Sequence, residues 1–250
     1  MKEYYAFEDS TPTHSYMRMR YFYPMDRYPY GEIVDACRRA GRLDPEPELY
    51  DVYGAERWHR GEYWAVSIEY GKATDHELLC RIRATNCTDV ARGSPVCRTN
   101  RLHILPHLFF RNTWSWGWDS RKPFLQERSR APSEVQVAAF ERHVGAMSYA
   151  VSVPTCAGVR QAAAVDWLVA DNESNFQRLY GAANPCGHRF TKDAFHTHVT
   201  GDNATGPAAG VAQVKPRGAQ GTKGAAWVVV DVDPGATAEV WVRLRCHGED

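Results

Sequence analysis

The densest run of chemically capable side chains is Phe109-Phe110-Arg111-Asn112-Thr113-Trp114-Ser115-Trp116-Gly117-Trp118. Three tryptophans alternate with small or polar residues just past an apolar stretch. If that stretch continues as a strand, Trp114, Trp116 and Trp118 lie on one side of it. Flat aromatic faces suit sugar rings, whose axial C–H groups pack on the π cloud while hydroxyls bond to neighbours such as Arg111 and Asn112. The same cluster also suits a core or a domain interface, where aromatics are preferred.

A second polar stretch runs Asp171-Asn172-Glu173-Ser174-Asn175-Phe176-Gln177-Arg178-Leu179-Tyr180-Gly181. Its amides and carboxylates could bond hydroxyls or equally cap and tie an irregular loop to nearby backbone. Asp171 and Glu173 invite a paired-carboxylate reading, the acid and base of a glycosidase. Nothing in the sequence supplies the split in acidity such a pair needs, so the reading is set aside. His103 and His107 flank Pro106, and His196 and His198 form a His-x-His pair, without a third ligand to make a metal site. Gly218, Gly221 and Gly224 surround Lys223 in an order that does not match a phosphate-cradling loop. No G-x-S-x-G is present. No catalytic residue, metal or cofactor is assigned.

The elements that must position these residues are mostly strands. Period-two alternation puts Trp64, Val66, Ile68 and Tyr70 opposite Ser67 and Glu69. It likewise puts Leu78, Cys80 and Ile82 opposite Arg81 and Arg83, and Val240, Val242 and Leu244 opposite Glu239, Arg243 and Arg245. Each reads as a half-buried antiparallel strand. Residues 15–23, 102–111, 147–153, 163–169 and 226–232 read as further strands, the last of them central. A helix is expected over 31–40 with Gly41 as its stop, and a second short one near Thr191 through Phe195. Residues 201–224, rich in Gly, Ala and Pro, read as a long loop. The expected fold is mainly β, a large antiparallel β-sandwich with one or two short helices, formed by residues 1–250 as one domain.

Composition narrows the function classes. Hydrophobic residues make up 44%, enough for a sizeable core. Lys plus Arg and Asp plus Glu both number 30, a balance that argues against nucleic acid as a partner. No apolar run has the length of a membrane helix, and Met1-Lys2-Glu3-Tyr4-Tyr5 lacks a signal peptide's apolar stretch, so a cytoplasmic location is expected. The seven cysteines contain no C-x-x-C and read as small buried thiols. Asn86-Cys87-Thr88, Asn172-Glu173-Ser174 and Asn203-Ala204-Thr205 fit the glycosylation pattern, which matters only in a secreted chain.

Six blocks, taken in order, carry a resemblance. They are His14-Ser15-Tyr16-Met17 with Tyr23-Pro24 and Tyr28-Pro29-Tyr30; Arg38-Arg39-Ala40-Gly41-Arg42 with Pro45-Glu46-Pro47-Glu48-Leu49; Glu69-Tyr70-Gly71-Lys72-Ala73; Leu105 through Gly117; Asp171 through Gly181 with Lys192-Asp193-Ala194-Phe195-His196; and Gly221-Thr222-Lys223-Gly224-Ala225-Ala226. Together they resemble the N-terminal domain of bacterial-type glucosidases related to glycoside hydrolase family 63, kin of the mannosyl-oligosaccharide glucosidases. The resemblance implies a β-sandwich N-domain packed on a following (α/α)6 barrel. That barrel would hold the general acid and the general base, and water would attack with inversion between carboxyls roughly 6.5–9.5 Å apart. No counterpart of the barrel is present, so no catalytic residue carries over. The pattern departs at Cys186-Gly187-His188-Arg189 and in ending at Asp250.

Arg111, Asn112, Trp114, Trp116, Asn175, Arg178 and Asp193 are therefore candidates for contact with substrate or with the neighbouring barrel. The expected partners are that barrel in cis and an oligosaccharide, with no nucleic acid and no membrane. Two other readings stay open: a free-standing carbohydrate-binding module with Trp114 and Trp116 as its platform, and a protein-interaction scaffold without sugar contact.

Overall fold

The computed structural model describes residues 3–41, 47–94, 99–117, 121–181, 183, 187–201 and 213–247. In chain order its strands are β1 (Tyr4–Ser10), β2 (Tyr16–Pro24), β3 (Tyr63–Thr74), β4 (Glu77–Asn86), β5 (Asn100–Ile104), β6 (His107–Phe109), β7 (Phe124–Ala131), β8 (Glu134–Glu141), β9 (Gly145–Ser152), β10 (Val159–Gln161), β11 (Asp166–Ala170), β12 (Lys223–Val232) and β13 (Thr237–His247). The helices are α1 (Tyr30–Ala40), α2 (Leu49–Tyr53), α3 (Ala55–His59), α4 (Phe176–Tyr180) and α5 (Ala194–Thr200). Hydrogen bonding gives an eight-stranded sheet in the order β1-β2-β3-β4-β13-β9-β8-β7. A second, five-stranded sheet has the order β10-β12-β11, with β5 and β6 also paired to β12. The fold is mainly β and sandwich-like, as expected. Among the described residues no helix is long and apolar enough to cross a membrane.

The chain falls into two compact units. The first comprises Met1–Leu102, Val153–Ala162 and Val229–Trp241; the second comprises His103–Ser152, Ala163–Val228 and Val242–Asp250. In the first unit β2, β3 and β4 pair antiparallel in long unbroken registers. Glu69 on β3 lies opposite Arg81 and accepts from it at 2.7 Å, with Arg83 at 3.4 Å. Beside these strands Tyr28, Ile33, Leu49 and Tyr53 form a buried cluster, with Tyr4 and Trp58 packed against it. Ile33 is the inward residue of α1, and Gly41 ends that helix with φ of 67°. A side chain at that φ would be strained.

In the second unit β7, β8 and β9 form an antiparallel meander. Its inward face is Val135, Val137, Ala139, Met147, Tyr149 and Val151, all buried. β11 and β6 pair with the first half of β12. Leu168, Ala170, Ala225, Ala194 and Phe195 form the buried cluster between these strands and α5. Gly224 lies beneath Trp167, where a Cβ would come within 2.1 Å of the indole. At Gly221 a Cβ would come within 2.4 Å of the Ala170 carbonyl. Gly221 and Gly224 thus serve close packing, whereas Gly218 adopts a φ of 79° with open space around it.

Several expectations need correction. Five helices are present among the described residues rather than one or two. The expected strand over 102–111 breaks into β5 and β6 at Leu105-Pro106, because Pro106 has no N–H for the ladder. On β3 Ser67 is buried while Tyr70 is exposed, against the expected faces. Alternation fixes which residues share a face, but not what the chain brings over each point of it. Leu78 is exposed for the same reason, whereas on β13 Val240 is buried as expected and Val242 and Leu244 are half-buried. β1, β7, β8 and β10 and the helices α2, α3 and α4 fall outside the expected elements. The expected loop over 201–224 lies partly outside the described residues, and its end is already β12. Cys97, Cys186 and the Asn203 triplet also lie outside them; the other five cysteines are free thiols, of which Cys80 is buried as expected while Cys37, Cys87, Cys156 and Cys246 are only partly so.

Candidate functional site

The second unit gathers the polar candidates around Glu173. Past β6 the chain turns through a single 3-10 turn, Trp114–Trp116, closed by Gly117 with φ of 73°. The expected continuation of the strand through the tryptophans is therefore overturned. In a 3-10 turn alternate residues do not share a face. Trp114 turns inward and Trp116 outward, 52% exposed. Trp118 lies outside the described residues.

Glu173 is buried, with 5% of its surface exposed. Trp114 Nε1 donates to its Oε1 at 2.5 Å. Asn112 Nδ2 donates to its Oε2 at 2.9 Å and Ser115 Oγ donates to the same oxygen at 3.0 Å. His188 Nε2 is 3.8 Å from Oε2, and Lys122 Nζ is 4.0 Å from Oε1 and 5.8 Å from the Trp114 ring centre. Burial by itself would push the carboxyl's pKa up. The donors Trp114, Ser115 and Asn112, with the imidazole of His188, outweigh burial and hold it below the usual carboxylate range. Both oxygens thus face donors, and the carboxylate works as a fixed anchor for the turn. Asn112 closes the turn from the other side: its Oδ1 accepts from Ser115 N at 3.1 Å, and its Nδ2 also reaches Asn172 O at 2.9 Å.

A second anchor adjoins the first through the Lys192 amide, which donates to the Glu173 carbonyl at 3.0 Å. Asp193 accepts from Thr191 Oγ1 at 2.5 Å and from Asn175 Nδ2 and Arg178 Nη1, both at 3.2 Å. Burial pushes its carboxyl up, and these donors outweigh burial and hold it below the usual range. Asn175 also caps α4, its Oδ1 accepting from Arg178 N at 3.1 Å. Gly181 ends that helix with φ of 88°. Lys223 Nζ donates to Lys192 O at 2.8 Å, fastening this loop to β12.

The structure thus brings Asn112, Trp114, Asn175, Arg178 and Asp193 into one hydrogen-bonded network with Arg178 at its exposed side, while Arg111 and Trp116 stay outside it. The Arg111 guanidinium lies 5.6 Å from the Trp116 ring centre. Asp171 does not join Glu173 as a catalytic pair. It accepts from Lys215 Nζ at 2.8 Å and from the Thr222 amide at 3.3 Å. Among the described residues no group of three or more His, Cys, Asp or Glu could hold a metal ion. His103 Nδ1 faces the Trp227 indole N–H at 3.0 Å, and the His198 ring lies edge-on to the same indole. Two glycosylation triplets present no free amide. Asn86 is fully buried and donates to Val232 O, and Asn172 donates to Phe110 O at 2.8 Å.

Sequence reasoning missed Glu173 as the hub, because its donors lie 58 to 61 residues away. It also missed an outward apolar face on α4, where Phe176, Leu179 and Tyr180 are 49%, 61% and 67% exposed. Their i, i+3, i+4 spacing was the available signal. The Phe176 and Tyr180 rings stack with centres 6.0 Å apart.

No family model matches the chain. It is similar to the uncharacterized protein YMR196W of Saccharomyces cerevisiae (strain S288c), 31% identical over 219 residues. The match takes in 80% of this chain and 19% of that protein, so the chain spans about a fifth of the length of the relative it matches.

Proposed function

We propose that this chain is the non-catalytic N-terminal domain of a cytoplasmic inverting α-glucosidase-like glycoside hydrolase related to family 63. In this reading it packs on and supports a helical catalytic barrel that owns the acid and the base. One observation carries the reading. The Glu173 and Asp193 anchors turn polar groups inward, while Trp116, Phe176, Leu179 and Tyr180 project outward from the elements they fix. Exposed apolar side chains of this kind suit an interaction surface. The short span of the yeast relative that this chain covers fits a domain belonging to a longer protein.

The experiment is to sequence the transcript past codon 250 and to assay the purified chain on p-nitrophenyl α-glucoside. The expected result is a helical, acid-rich continuation and no turnover by the isolated chain. Hydrolysis by pure protein that is lost in Glu173→Gln would overturn the proposal. The exposure of Trp116 favours a second reading, a carbohydrate-binding module. Glucan binding by the isolated chain that is lost in Trp116→Ala would select it.

A further inference from the structure

The outer face of the β7-β8-β9 meander carries a cleft of about 380 Å³, lined by residues that no part of the Glu173 network uses. Its floor holds Ala138 and Ala146, small enough to leave room above the sheet. One wall is a pair of phenylalanines. Phe124 and Phe140 are direct cross-strand partners, and their rings stack at 6.1 Å with planes 17° apart. The rim is polar and cationic: Arg128, Gln136, Ser148 and His247. His247 Nε2 lies 3.1 Å from Ser148 Oγ, which fixes that side of the rim.

Two features show how the cations are placed. The register of β7 shifts between Glu127, opposite Val137, and Ser129, opposite Gln136, which leaves Arg128 as the extra residue of a bulge. Bulges re-aim a side chain, and this one puts Arg128 at the cleft. The Arg121 guanidinium lies 4.3 Å from the Phe140 ring centre. A guanidinium stacked on a ring keeps its in-plane N–H groups available for a carboxylate. Meanwhile the acids of these strands have other partners. Glu127 is held by Arg130 and lies 3.6 Å from Arg217, Glu134 accepts from Gln136, and Glu141 accepts from the His143 and Val144 amides. Among the described residues no carboxylate lines the cleft.

We infer that this cleft is a binding site for a small monoanion with an apolar body, a carboxylate on an aromatic or aliphatic frame of about six to ten heavy atoms. The body packs on Ala138, Ala146 and the phenylalanine wall. The carboxylate meets Arg128, with Arg121 adding charge at the rim. The inference is independent of the glucosidase proposal.

Calorimetric titration of the full chain tests it with three probes: benzoate, its neutral counterpart benzyl alcohol, and acetate, the charge without the body. Benzoate should bind, and each of the other two should bind at least about tenfold more weakly. Arg128→Gln, at an exposed bulge position, should weaken benzoate about tenfold and leave benzyl alcohol unchanged. Ala138→Leu, which fills the floor from the outer face, should abolish benzoate binding while the melting temperature is retained. Equal affinity for benzoate and benzyl alcohol would overturn the inference. So would unchanged benzoate affinity in Arg128→Gln, or no benzoate binding at about 10 mM.

Discussion

Trp114 Nε1 and Glu173 Oε1 meet at 2.5 Å although they stand 59 residues apart in the chain. That contact decides which tryptophan of the Trp-Ser-Trp turn points inward. It also ties the end of the β6 segment to the loop that leads into α4. Because Asn112 and Ser115 bond the second oxygen of the same carboxylate, the turn is held at three points rather than one.

Removing the hub should cost more than removing any one of its donors. Glu173→Ala leaves the indole, amide and hydroxyl donors without their acceptor. We expect a loss of about 2–4 kcal/mol, since buried groups deprived of a charged partner carry a desolvation penalty each. Glu173→Gln should cost less. Urea unfolding followed by tryptophan fluorescence measures both, and an alanine variant as stable as the wild type would refute the role of the anchor.

Stability should fall in acid through the two anchors. Both carboxyls have folded-state pKa values held below their ordinary values of 4.5 for Glu173 and 3.8 for Asp193. A depressed folded value means the unfolded chain takes up the proton first. The contribution is therefore fully present above about pH 5 and is lost as the pH falls through the ordinary values toward the folded ones. The urea midpoint should drop across that window, and the drop should be shallower in Glu173→Gln. Identical slopes in the two proteins would count against the assignment.

The two flanking tryptophans should behave as opposites. Trp116→Ala removes an exposed ring and should change stability by no more than about 0.5 kcal/mol. Trp114→Phe removes one donor to a buried carboxylate and should cost about 1–3 kcal/mol. Equal effects would mean that the turn is not oriented as described.

Gly224→Ala probes the packing of the second unit away from its polar network. The new methyl group would collide with the Trp167 indole, so the strand or the ring must shift. Overpacking of this kind costs about 1–3 kcal/mol, read as a lowered urea midpoint. Full retention of stability would show that the indole has room to move.

The sequence by itself determined the local periods. Alternation places β3, β4 and β13 because a strand's side chains switch face at every residue, and Gly41 marks the end of α1 because only glycine takes positive φ without strain. β7 was hidden because Gln126, Glu127, Arg128 and Arg130 blur its alternation, and a bulge then breaks the period. Tertiary structure alone decided the rest. Whether Trp114 or Trp116 is the inner ring, and whether Glu173 is an acid or an anchor, depend on groups far away in the chain. Burial and hydrogen-bond supply are properties of the assembled neighbourhood, and no local spacing encodes them.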